Sequence, residues 1–313
     1  MTRSSTEPWC PPSTGRSRRV RHSPSGSNTL NVRSRRADSR FVRSSRSRCC
    51  VDASSARTAV SHAVPRHQRM LVRVINIRRD AEISDVEGGW FRARWHYSFD
   101  SYRDPEYVSF GTLRVFNDDR LIPGAIWPLH PHRDIEGLTY VVEGLFRHED
   151  SVGGAPGPLP AGSVQRMTLG SGALHSEQNA SQTEPMRFIQ IWIIPRERGL
   201  TPSVEQKVFT RADRTDRLLK VISRDGGDAV LVHQDAAVYV SSLSEGVSVS
   251  HTFDDDQGAY LYVISGSVTV NDHETLAIGD AARIQREPAV RLSANEPTEL
   301  IMVEVRLTAE RRT

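Results

Sequence analysis

GLTYVVEGLFRHED at 137–150 and GAYLYVISGSVTVNDHETLAIGD at 258–280 decide the fold. Each begins with a run rich in β-branched and aromatic residues, turns at a glycine (Gly144, Gly266) and continues as a second strand. A further glycine (Gly162, Gly279) then opens another strand. This unit recurs after about 120 residues, which implies two copies of one β-sandwich or barrel. Around the repeats lie other short apolar or alternating runs, FGTLRVF (110–116), RFIQIWII (187–194) and TELIMVEVRL (298–307), separated by NDD, GGAPGP and ANEP. No long window has helical periodicity, so the expected class is all-β. Proline and charge interrupt the strands at PRERGLTP (195–202), and the expected domains are therefore 70–195 and 196–313.

The first 69 residues have a different composition. They hold fifteen Arg, no Lys and three acids (Glu7, Asp38, Asp52), a charge of +12 within a chain total of +3, so the remainder carries −9. SRSRCC and NVRSRRADSR typify the segment, which has no hydrophobic period and is expected to be disordered. Arg without Lys is what translated GC-rich DNA tends to yield, and LVRVINIRR, a clear first strand, follows Met70 at once. The expectation is a start codon set too early, with Met70 as the true start. Cys10, Cys49 and Cys50 also fall in this segment, leaving the body with neither disulfides nor thiolate ligands. No apolar run is long enough to span a membrane and no secretory h-region is present. A cytoplasmic monomer is expected, without membrane contact and without nucleic-acid binding by the acidic body.

The chemistry is concentrated in two short motifs. In WPLHPHRDIEG, His130 and His132 are two residues apart, which on a strand turns both imidazoles to one face. In GSGALHSEQN, His175 and Glu177 repeat the spacing with one imidazole and one carboxylate. A lone HxH is usually a packing or surface feature. A second such pair some forty residues on, in an all-β context, reverses that judgement. Three neutral nitrogens and one anionic oxygen suit a divalent transition metal and leave coordination positions open. Fe(II) is the leading expectation, with manganese, nickel, cobalt and zinc left open by ligand identity.

HPHRDIEGLTYVVEG, HEDSVGG, PAGSVQRMTLGSGALHSE, QIWIIP and LTPSVEQ together resemble the pirin family of the cupin superfamily. The nearest likeness is to its bacterial branch associated with quercetin 2,3-dioxygenase activity. WHYSFDSYRDPEYVSFGTLRVFNDD and VHQDAAVYV extend the resemblance over about residues 72–307. It implies a bicupin of two jelly-roll barrels with metal only in the first, held by His130, His132, His175 and Glu177. The chain departs from many pirins after HPHR, where Asp134, Ile135, Glu136 and Gly137 stand. That departure bears on pocket shape more than on metal binding. Glu136 occupies the place of a ligand in the wider cupin pattern, and here it is read as structural or supporting.

The resemblance further implies opening of the central ring of a flavonol such as quercetin by dioxygen, with release of carbon monoxide and with Glu177 accepting the phenol proton. The alternatives are a metal- or redox-sensing regulator acting through a protein partner, or another cupin oxygenase or isomerase. Other residues carry weaker expectations. His96 is read as a strand or interface residue and His148 as facing solvent. Gln165 and Met167 are read equally as pocket lining or core, and His251 and His273 as isolated residues of a second barrel without metal.

Overall fold

A computed structural model describes residues 74–154 and 157–307. The expectations about disorder and a start at Met70 concern residues outside that range. Among the described residues the chain is built almost wholly of strands, grouped as two pairs of sheets, each pair one seven-stranded and one four-stranded. Every pairing between them is antiparallel except Leu219–Ser223 with Val230–Leu231. The all-β expectation holds, with two cupin-type domains.

In the first barrel, the long sheet centres on Glu136–Glu143, Met186–Ile193 and Leu113–Leu121. The short sheet carries Ile126–His132, Ala173–Asn179, Leu145–Asp150 and Leu159–Pro160. Leu121, Val141, Met186 and Phe188 from the long sheet meet Phe146 and Leu159 from the short one. The second barrel repeats the plan: Leu261, Val263, Leu300 and Met302 pack on Val268, Val270, Val290 and Leu292.

The long sheets are buried on both faces, which explains why their strands read as continuous apolar runs rather than alternating ones. Along Glu136–Glu143, Val141 points into its own barrel while Leu138 and Tyr140 join a core shared with the other. Tyr260, Tyr262, Ile301 and Val303 contribute to that shared core from the second barrel. Polar links cross it as well. Arg187 grips Asp118 through Nε at 2.9 Å and Nη2 at 2.7 Å, and Tyr262 donates to Asp118 Oδ2 at 2.7 Å. His96, fully buried, lies 2.7 Å from the Tyr260 hydroxyl and packs on Phe116, an interface residue as expected.

Around the expected division at 195/196 the barrels exchange strands. Val74–Arg78 pairs with Ala281–Gln285 at the edge of the second barrel's long sheet, and Ser203–Val208 pairs with Ser163–Thr168 in the first. The two glycine turns of the repeat are equivalent. Gly144 (φ 79°) and Gly266 (φ 77°) lie in the left-handed region, where a Cβ would come within 2.5 Å of the Pro185 carbonyl oxygen and 2.4 Å of the Pro297 one. Each turn is thus closed to any residue with a side chain.

Candidate metal centre

The two histidine motifs meet on the short sheet of the first barrel. Ala173–Asn179 runs antiparallel to Ile126–His132 with His175 directly opposite His130 and Ala173 opposite His132. The register slips between His175 and Glu177, so that Glu177 faces Trp127. Such a bulge re-aims side chains locally. One ligand atom from each of His130, His132 and His175 lies within 4.8 Å of the others, so this group could hold a metal ion. His130 Nδ1 stands 2.8 Å from the Pro128 carbonyl oxygen. That bond fixes the proton on Nδ1 and leaves Nε2 with a free lone pair. His175 Nε2 is buried without a hydrogen-bond partner. An orphaned imidazole nitrogen facing two other imidazoles is the donor set a transition metal takes.

Glu177 is buried and its Oε1 lies 3.3 Å from His175 Nδ1, beside the three-histidine group rather than within it. Burial pushes its carboxyl up to about 8. Burial and the neighbouring imidazoles push His175 down to about 2 and His132 down to about 4. All three groups are therefore neutral near pH 7 while no metal is bound, and the histidines present lone pairs rather than protons.

Two cavities adjoin the site. An inner one of about 40 Å³ is lined by His130, His175, Glu177, Asp119, Asn117 and Gln190, with Phe99, Trp127, Phe188 and Trp192 as apolar walls. An outer one of about 760 Å³ has His132 and Trp192 in its wall together with Phe99, Arg103 and Arg114. The His132 and Trp192 rings lie 4.6 Å apart, and Trp192 packs on Phe99 at 5.3 Å. Trp192 and Phe99 line both spaces.

Other expectations resolve in detail. His148 does not face solvent: it is 3% exposed, with Nε2 3.2 Å from His175 Nδ1 and Nδ1 3.2 Å from Asp150 Oδ2. Its strand alternates, and Phe146 and His148 point inward while Arg147 and Glu149 are exposed. Counting by twos from Phe146 would have placed it inside. Glu136 is engaged elsewhere, accepting from Thr168 Oγ1 at 2.9 Å and from the His233 amide at 2.7 Å, in the supporting role expected. Met167 packs in a small core cluster with Leu169 and Ala173, and Gln165 accepts from Gln206. Neither lines the inner cavity. In the second barrel His251 is a packing residue, pairing with Glu304 and lying against Tyr239 and Phe253. Asp119 and Asn117 passed unnoticed in the sequence because NDD reads as a turn signal, whereas it lies in the middle of the strand Leu113–Leu121.

Two barrels of this type define a cupin protein, and the three-histidine group in the first is one that could hold a metal ion. A model of the Pirin family matches residues 76–193, and one of the quercetinase C-terminal cupin domain matches residues 220–305. The chain belongs to the pirin family. It is 41% identical over 219 residues to a Pseudomonas aeruginosa protein provisionally named as a quercetin 2,3-dioxygenase, covering 69% of this chain and 93% of that one. It is 36% identical over 233 residues to the quercetin 2,3-dioxygenase of Escherichia coli strain K12, covering 74% and 99%. The structure of the Escherichia coli pirin YhhW in complex with nickel(II) superposes with a TM-score of 0.70 at 34% identity, covering 75% of this chain and all of that one.

Proposed function

We propose that the first barrel is the active site of a metal-dependent dioxygenase that opens the central ring of flavonols such as quercetin. In this reading His130, His132, His175 and Glu177 hold one divalent ion, with Fe(II) first among the candidates. The observation that carries it is the cross-strand register of His130 on His175, which gathers three imidazoles, two of them on the inner cavity and His132 on the outer cavity of about 760 Å³ walled by Trp192 and Phe99. A cavity of that size, with Phe99 and Trp192 as aromatic walls and Arg103 and Arg114 at its edge, suits a planar aromatic molecule that carries hydroxyl groups. The bacterial relatives named as quercetin 2,3-dioxygenases support the same substrate class.

A metal held by these residues would supply a Lewis acid that lowers the pKa of a phenol hydroxyl. The protein's own groups do the rest. His132 and Trp192 present the entrance wall on which a flavonol ring stacks. Glu177, freed of its own proton on metal binding, accepts the proton of the substrate's 3-hydroxyl at its carboxylate. The apolar walls Phe99, Phe188 and Trp127 exclude water from the inner space. The overall reaction consumes one dioxygen and converts quercetin into a depside and carbon monoxide, all oxygen atoms accounted for. Incubating the iron-loaded protein with quercetin should consume oxygen and release carbon monoxide in equal amounts. Metal-loaded protein that leaves quercetin intact would end this reading.

A further inference from the structure

Asp119 is the buried carboxyl of the inner cavity that neither the metal ligation nor the proton transfer proposed above uses. It is 4% exposed, it lines that cavity beside Glu177, His130 and His175, and its Oδ1 has no hydrogen-bond partner. Its position follows from the sheet. Along Leu113–Leu121, Asn117 and Asp119 point to one face and Asp118 to the other, where Arg187 holds it. The register then sets Asp119 opposite Phe188 and Asn117 opposite Gln190, so the four residues form one wall of the cavity.

Nearly every buried polar atom in a folded protein has a partner, because an unpartnered one forfeits the hydrogen bond it would make in water. Asn117 Oδ1, two residues away on the same face, is also buried and unpartnered. Two orphaned oxygens on one wall of a cavity of about 40 Å³ mark a place where something polar binds. The space admits one or two water-sized groups, the size of a hydroxyl on an aromatic ring edge or of dioxygen, and no more.

We propose that Asp119 is a ligand-contacting residue of the site, hydrogen-bonding a hydroxyl of a phenolic molecule held at the histidine group, with Asn117 as its neighbour. The inference rests on a metal at the triad, as proposed above, and narrows the substrate class to phenols with a second hydroxyl within reach of the first. Asp119 then reads the second hydroxyl while the ion takes the first.

The test uses the full chain loaded with Ni(II), with 4-nitrocatechol as the probe followed by its absorption, and metal affinity measured alongside. Asp119→Ala should weaken 4-nitrocatechol binding about tenfold, the loss of one buried hydrogen bond, while nickel affinity stays within about twofold of the parent. Asp119→Asn, whose amide keeps the shape and the hydrogen-bonding capacity, should restore most of the lost affinity and guards against a folding defect in the alanine variant. Probe binding unchanged in both variants would overturn the role of Asp119 while leaving the metal site standing. A parent protein that binds neither nickel nor the probe would overturn this inference and the proposed function together.

Discussion

Asp118 and Asp119 are consecutive, both are buried, and they face opposite sides of one sheet: Asp118 into the seam between the barrels, Asp119 into the metal cavity. Their environments drive them apart. Burial raises the Asp118 carboxyl, but the Arg187 guanidinium outweighs it and the net displacement is downward. Burial raises Asp119 well above the usual carboxylate range, aided by the charges of Asp118 and Glu177. One strand thus carries a carboxylate whose charged form Arg187 favours and another whose charged form burial disfavours.

Replacing Arg187 by Ala leaves the Asp118 charge buried without its cation. The expected loss is about 3–5 kcal/mol, on the order of 10 °C in thermal midpoint for a body of this size, read by calorimetry. Because the folded pKa of Asp118 is depressed, the pair's contribution is present above the unfolded carboxylate value and fades as pH falls through the lower folded one. The acid limb of the stability curve should therefore be shallower in Asp118→Asn than in the parent.

His130→Ala and His175→Ala should each abolish stoichiometric metal, measured by elemental analysis of the purified protein. Glu177→Gln should retain the three imidazoles and bind metal about 10–100-fold more weakly. Stripping metal from the parent with a chelator should lower its stability, by about 2.7 kcal/mol where free metal had stood at a hundred times its dissociation constant. An unchanged unfolding curve after complete metal removal would contradict a site that belongs to the folded state.

In metal-free protein the Glu177 carboxyl is pushed up to about 8 by burial. Between the unfolded carboxylate range and that value the folded state holds a proton that the unfolded state has released, so stability falls as pH rises from about 5 to 8. Glu177→Gln should flatten this slope. Metal binding at pH 7 should expel about one proton, measurable by titration calorimetry in buffers of differing ionisation enthalpy.

His148 backs His175, with Nε2 3.2 Å from His175 Nδ1, and the Asp150 carboxylate lies near its other nitrogen without a hydrogen bond to it. Such a chain holds the ring of a ligand in orientation. His148→Phe preserves the packing on Phe146, whose ring lies nearly parallel to that of His148, and removes the nitrogen contact. Metal affinity should fall about 10–100-fold with little change in thermal midpoint. A drop in stability of the same size as a core deletion would mark His148 as packing alone.

The features legible in the sequence were those with a local signature. The period-2 spacing of His130 with His132 and of His175 with Glu177 announced side chains sharing a face, and the glycine turns at Gly144 and Gly266 announced the repeat. What escaped depends on partners distant in the chain. That Asp119 lies inside follows from its pairing with Phe188, sixty-nine positions on, and acidic residues in a row read as a turn until that pairing is known. The bulge between His175 and Glu177 likewise arises from pairing with Ile126–His132 and has no local mark.

The exchange of Val74–Arg78 and Ser203–Val208 between the barrels has a consequence for how the chain comes into being. Synthesis delivers Val74–Arg78 early, but its partner Ala281–Gln285 emerges only after some two hundred more residues. The first barrel in turn lacks an edge of its long sheet until Ser203–Val208 has left the ribosome. Neither half can close on the residues of its own half alone. Val74–Arg78 must therefore wait unpaired for most of translation, while the first barrel can complete its long sheet once Ser203–Val208 has emerged, a route with long-range closure and slow assembly of the second half.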